Sequence, residues 1–159
     1  MNSLAFAAVW LIAGPSLAHE TRVGDLEISH ANIPQPAASA KSAVGYMAIS
    51  NNGPEPERLI GVEAEFAAKA HVHESKVDAS GVGTMQPVPA LGIPPGQTVN
   101  LEHGGYHIMF MGLIGPLVEG EMKMATLIFE HAGRVEIEFM IDPPVGESEM
   151  DHSKMGTGG

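Results

Sequence analysis

The sequence predicts an all-β fold, a sandwich or Greek-key barrel. Three observations carry this. Short runs of β-forming residues recur along the chain, separated by Gly, Pro and Asn. Several runs alternate apolar and polar side chains, as half-buried strands do. The best of them is Tyr106-His107-Ile108-Met109-Phe110-Met111. Its alternation puts Tyr106, Ile108 and Phe110 on one face and His107, Met109 and Met111 on the other.

The elements follow in order. Residues 1–18 read as a secretory signal peptide: Leu4 to Ala13 is apolar, Gly14-Pro15 breaks the helix, and Ser16-Leu17-Ala18 is a small-x-small cleavage site. Met1-Asn2-Ser3 lacks the usual Lys or Arg, and the run is too short for a transmembrane span. No other segment is long enough to cross a membrane. A single domain over residues 19–144 is expected next. Leu26–His30 is its first strand, and Asn32 to Ser42 a Pro/Ala/Ser loop. Ala43–Ser50 alternates, with Tyr46 expected in the core, and Asn51-Asn52-Gly53-Pro54 is a turn. Leu59–Glu65 and Lys69–Val77 are strands, although Glu63–Lys69 is rich enough in Ala to have helical character. Gly81-Val82-Gly83 turns the chain into Thr84–Val88, and Ile93-Pro94-Pro95-Gly96 is a further turn. Thr98–Glu102, Tyr106–Gly112, Lys123–Glu130 and Arg134–Ile141 complete the set, with His131-Ala132-Gly133 as a tight hairpin. Residues 145–159 are Gly-, Ser-, Glu- and Met-rich and read as a disordered tail.

Composition narrows the chemistry. The net charge is −11 and no basic patch is visible, which argues against nucleic acid as a partner. There is no cysteine, which excludes disulfides, thiolate nucleophiles and every metal site that needs a Cys sulfur, blue copper included. There are ten Met and eight His. Most single Met residues on strands are core filler, and Met47 and Met140 are read that way, as are Met122 and Met124.

The exceptions stand together. His73, Met85, His107 and Met109 would give two imidazoles and two thioethers, all neutral. Such a set suits a monovalent soft ion, Cu(I), more than Cu(II), Zn(II) or Mg(II). His107 and Met109 share a strand face, roughly 6.5–7 Å apart, which a His and a long Met can span to reach one ion. His71 and Met111 are second candidates, each on the face of a first one. Met150, His152 and Met155 in the tail could make a further site, with Cu(II) held through His152. Cleavage after Ala18 would also expose the α-amine and imidazole of His19, a pairing that chelates Cu(II). His103 and His131, in turns, are expected to be solvated, and His30 to serve a structural hydrogen bond.

The segment from Ala70 to Leu117 resembles the periplasmic copper chaperone PCu(A)C family. Eleven residues separate His73 from Met85, twenty-one separate Met85 from His107, and His107-Ile108-Met109 supplies the closing His-x-Met. Ile93-Pro94-Pro95-Gly96, Gly104-Gly105-Tyr106 and Gly112-Leu113 flank it as in the family. The first spacing is one residue longer than the family's, within reach of the Gly81–Gly83 turn. The tract Ala31-Asn32-Ile33-Pro34 also departs, where the family often has Trp and Arg. The resemblance implies a cupredoxin-like β-sandwich that binds Cu(I) through His73, Met85, His107 and Met109. It also implies a periplasmic, non-enzymatic carrier that helps assemble the CuA centre of cytochrome c oxidase, with the CuA-bearing subunit or another assembly factor as partner. Copper storage, tolerance or uptake through the same site is the alternative.

Overall fold

The structure, a computed structural model, describes residues 20–145. Eleven strands and no helix are found there: β1 (Thr21–Val23), β2 (Leu26–Pro34), β3 (Ser42–Asn51), β4 (Glu57–Ala64), β5 (Ala67–Val77), β6 (Gly83–Pro87), β7 (Leu91–Ile93), β8 (Thr98–Leu101), β9 (Tyr106–Leu113), β10 (Met122–Phe129) and β11 (Gly133–Asp142). Eight of them close into a ring in the order β5-β9-β8-β3-β2-β11-β10-β4, and β4 returns to β5. The closing seam is thin, a single Val62–Ala70 pairing. All pairings are antiparallel except β11 with β2 and β8 with β9. This is a cupredoxin-like barrel, as the sequence predicts.

Period-two alternation fills the interior. Ile108 and Phe110 point in from β9, and Ala43, Met47 and Ile49 from β3. Phe110 meets Phe66 at 4.8 Å and Phe139 at 5.5 Å, centroid to centroid. The ring of Phe110 lies over Gly45, where a β-carbon would come within 2.7 Å of it. Gly45 therefore makes room for an aromatic core. The same register turns Tyr46 outward and leaves it half-buried on the outer surface, contrary to its expected place in the core.

Two other expectations need correction. The first strand does not end at His30. A β-bulge between Ser29 and Asn32 breaks the alternation there, and β2 continues to Pro34 with Ala31 and Ile33 facing in. The bulge holds His30 at φ +56°, the one non-glycine residue with positive φ among those described. Its carbonyl accepts from the Asn32 side chain at 3.3 Å. Second, Ile93 belongs to a strand. Leu91 and Ile93 are buried where β7 adds to β4, and the turn begins at Pro94. The Ala-rich stretch 63–69, for all its helical character, forms the expected strand ends around a turn at Glu65-Phe66.

Glu57 ties the start of β4 to the turn between β10 and β11. Its carboxylate accepts from the backbone N–H groups of Arg58 (2.8 Å), His131 (3.1 Å) and Ala132 (2.9 Å), and its Oε1 lies 3.2 Å from His131 Nδ1. Burial alone would raise its pKa, but these donors outweigh burial and hold it below the ordinary 4.5. Arg58 makes a two-pronged ion pair with Glu130 across the same hairpin.

Candidate metal centre

The outer face of β5, β6 and β9 carries the candidate ligands because the inner face is committed to the core. Residues directly opposite in an antiparallel pair share a face. His73 stands opposite His107, and His71 opposite Met109. On the other side of β5, Ser75 stands opposite Met85, which brings Met85 beside His73. The β5–β6 turn, residues 78–82, joins the strand of His73 to that of Met85. Asp78 Oδ1 accepts from the Ser80 and Val82 N–H groups, and Gly81 takes φ +84°.

Of the four expected ligands, His73 meets both Met85 and His107. His73 Nδ1 lies 3.3 Å from Met85 Sδ, and the His73 and His107 rings meet edge to face with centroids 6.0 Å apart. Nitrogen and sulfur donors on a tetrahedral d¹⁰ ion, with bonds of about 2.0 and 2.3 Å, stand roughly 3.5 Å apart. The observed separation is close to that edge.

His107 is set for a metal by its own hydrogen bond. Its Nδ1 lies 3.1 Å from the Gly105 carbonyl, which can only accept, so Nδ1 carries the proton. In the neutral ring the lone pair then sits on Nε2. That atom is buried without a hydrogen-bond partner, and the residue is only 4% exposed. A bare buried nitrogen is costly unless something binds it. A soft cation is such a partner, and the fixed tautomer is how metal-binding His residues are oriented. His73 is held below its ordinary pKa, first by burial and then by the nearby His107 and His71, which favours the neutral ring that can ligate.

Met109 stands half-buried one rung along the same face, between Val44 and His71. His71 is exposed beside it. Met111 is a further rung away, opposite Lys69, roughly 13 Å along the strand from His107, so the structure does not bring it to the centre. Among the described residues no group of three or more His, Asp or Glu could hold a metal. The donor set is therefore imidazole with thioether. Met150, His152 and Met155, and residues 1–18 with their expected signal peptide, lie outside the described residues. His131, expected to be solvated, does expose its side chain but also contacts Glu57.

A hollow of about 310 Å³ opens beside His107, lined by Val44, Tyr46, Ser75, Met85, His103 and Gly104 as well. Tyr46 and His103 were not expected there. The alternation of β3 from Ala43 was the available signal for Tyr46. Nothing in the sequence placed the His103 turn over the site.

Fold and geometry together define a cupredoxin-like β-barrel with a cluster of His and Met side chains on its outer face. The chain belongs to the LpqE-like family, whose model matches residues 26–141. A relative in Leifsonia xyli subsp. xyli, named "Putative lipoprotein Lxx21020", is 34% identical over 94 residues, 58% of this chain and 56% of its own length. The chain thus spans little more than half of that relative. The apo PCuAC domain from PmoF1 is similar in structure, with TM-score 0.69 and 33% identity over 79% of this chain and all of that one. The copper-bound PCuAC domain from PmoF2 matches with TM-score 0.69 and 28% identity over 79% of this chain and 99% of its own. The Cu(I) form of DR1885 from Deinococcus radiodurans gives TM-score 0.60 and 25% identity over 84% and 87%. Among the described residues no helix is long and apolar enough to cross a membrane.

Proposed function

We propose that this protein is an exported copper carrier that binds Cu(I) through His73, Met85, His107 and Met109 and passes it on for assembly of the CuA centre of cytochrome c oxidase. One observation carries the reading: His73 Nδ1 and Met85 Sδ stand 3.3 Å apart beside the unpartnered Nε2 of His107. Two similar domains, one from PmoF2 and DR1885, are described as copper-bound and CuI forms, which supports copper as the ion. Export is supported by the signal-like residues 1–18 and by the lipoprotein name of the relative.

Neutral ligands suit a carrier. Only imidazoles need to give up a proton on binding, and burial beside His107 and His71 already disfavours the proton on His73. No thiolate holds the ion, so a thiolate-rich acceptor can take it. The soft set also disfavours the redox cycling that copper catalysis needs, and we assign no enzymatic activity. The periplasm, where CuA assembly takes place, is the proposed location, and the CuA-bearing subunit or an assembly factor the proposed recipient.

The test is anaerobic Cu(I) titration of the mature protein against a competing chelator, with X-ray absorption of the loaded form. One equivalent should bind with nitrogen and sulfur scatterers together. A first shell of oxygen and nitrogen alone would exclude this ligand set. A deletion strain should lose oxidase activity at limiting copper; loss of survival at high copper instead would point to tolerance.

A further inference from the structure

We infer that the hollow beside the centre gives the protein a second binding mode, in which His103 joins His107 as a nitrogen ligand and holds Cu(II). The inference rests on the copper reading of the centre and adds to it an ion and a residue.

The hollow has one wall of soft ligand and a floor of imidazole. Met85 and His107 line it together with His103, Tyr46 and Ser75. Its 310 Å³ could take several water molecules of about 30 Å³ each. Cu(II) prefers nitrogen and oxygen donors in tetragonal arrangements, and thioethers serve it poorly. On the β5–β9 face the ion would find sulfur from Met85 and Met109. In the hollow it would find the imidazoles of His103 and His107 and water, with Met85 as the one sulfur on its wall.

The backbone explains why His103 is available. Residues 102–105 form a tight turn closed by the Gly105 N–H donating to the Glu102 carbonyl at 3.1 Å. Gly104, in the third position, has φ +82°, the mark of a type II turn, which puts His103 at the exposed corner. The turn is anchored on two sides. Glu102 N–H donates to the Tyr106 carbonyl at 2.8 Å, and Ser75 N–H of β5 donates to the Gly105 carbonyl at 3.0 Å. That same carbonyl accepts from His107 Nδ1. One backbone oxygen thus ties together β5, the ring that presents its lone pair, and the turn that carries the second imidazole. The main chain under His103 is fixed while its side chain is free to rotate.

No three His, Asp or Glu side chains converge among the described residues. His103 already lines the hollow beside His107, and turning its exposed ring toward His107 Nε2 is the step that binding requires. An exposed side chain makes such a move in picoseconds to nanoseconds. No electron transfer is involved: the mode binds an ion that arrives as Cu(II).

The experiment titrates the full chain with Cu(II) against a competing chelator and records the electron paramagnetic resonance spectrum. The comparison is with His103→Ala, His71→Ala and His152→Ala. The wild type should show nitrogen coupling, and His103→Ala should lose one coupled nitrogen and bind Cu(II) about tenfold more weakly, equivalent to about 1.4 kcal/mol. Its melting temperature and its Cu(I) affinity should match those of the wild type, because an exposed turn corner is permissive. Unchanged Cu(II) affinity and nitrogen count in His103→Ala overturn the inference. So does a loss confined to His71→Ala or His152→Ala, which would assign the ion elsewhere. Failure of the copper reading would show separately, as a wild-type protein that takes up no Cu(I).

Discussion

Replacing His107 with Leu should stabilise the metal-free protein while abolishing its copper response. The substitution keeps an apolar side chain of similar size in a buried position. It removes Nε2, which is buried with no partner, and relief of an unsatisfied buried group returns about 1–3 kcal/mol. It also removes the bond from Nδ1 to Gly105, at a cost of about 0.5–1.5 kcal/mol. The Gly105 carbonyl is not orphaned by this, because Ser75 N–H still donates to it at 3.0 Å. The balance is a gain of about 1 kcal/mol, or roughly 3–5 °C in Tm for a domain of this size. Copper reverses the order. Free Cu(I) at about 100 times Kd adds about 2.7 kcal/mol to a protein that binds it only when folded. Loaded wild type should then melt above the variant, and the variant should not respond. Calorimetry or circular dichroism melts, metal-free and with buffered Cu(I) under anaerobic conditions, give all four values. A metal-free variant less stable than wild type by 1 kcal/mol or more would refute the argument. It would mean that Nε2 is satisfied in the metal-free state and that the site is not built around an unfilled nitrogen.

Met109→Ile should leave the fold intact, since Ile is comfortable on a strand, while Cu(I) affinity falls; unchanged affinity in chelator competition would remove Met109 from the ligand set. Gly45→Ala should cost about 1–3 kcal/mol by overpacking, because the added methyl lies 2.7 Å from Phe110 Cε2 and 3.1 Å from Phe139 Cε1; a melt within 0.5 °C of wild type would show that both rings yield freely. Glu57→Gln should cost about 2 kcal/mol at neutral pH, through loss of charge-assisted bonds to backbone N–H groups. The sign of its pH dependence follows from the lowered pKa: the carboxylate's contribution is complete above about pH 4.5, its unfolded value, and is lost as pH falls through the lower folded value. The stability gap between wild type and Glu57→Gln should therefore narrow in acid melts, and a gap that stays constant to pH 3 would assign it to something other than this charge.

The strands were legible where alternation was unbroken. In β9 the pattern correctly put Ile108 and Phe110 inside and His107 and Met109 outside, because a period of two fixes faces regardless of tertiary context. It failed at the bulge. Two adjacent residues there, His30 and Ala31, fall out of phase, and a phase slip looks like a strand end when only the sequence is in view. Leu91–Ile93 was missed because three residues carry too little pattern to stand out beside Pro94-Pro95. The spacing singled out His73, Met85, His107 and Met109 as candidates, but it gave no sign of their burial. His107 was placed on the face turned from the core and is nonetheless almost fully buried. Long-range placement brings Tyr46 and His103 to the hollow, and local sequence has no term for it.

The separation of faces has a consequence for every ligand test. Ile108 and Phe110 hold β9 to the core, while His107 and Met109, interleaved with them, look outward from the same strand. Met85 is 51% exposed on β6, which adds to β5 from outside the ring and is not needed to close it. Changing Met85, Met109 or His73 therefore removes donor atoms without opening a cavity in the core, where losses of about 2–5 kcal/mol would arise. Variants at these positions should stay folded, so a lost copper response in them reports on ligation and not on unfolding. The converse control is Phe110→Ala. It touches no ligand, yet it empties the volume over Gly45 and loosens the strand that carries His107 and Met109, so stability and copper affinity should fall together. If copper affinity survived a large loss of stability there, the centre would not depend on the packed strand beneath it.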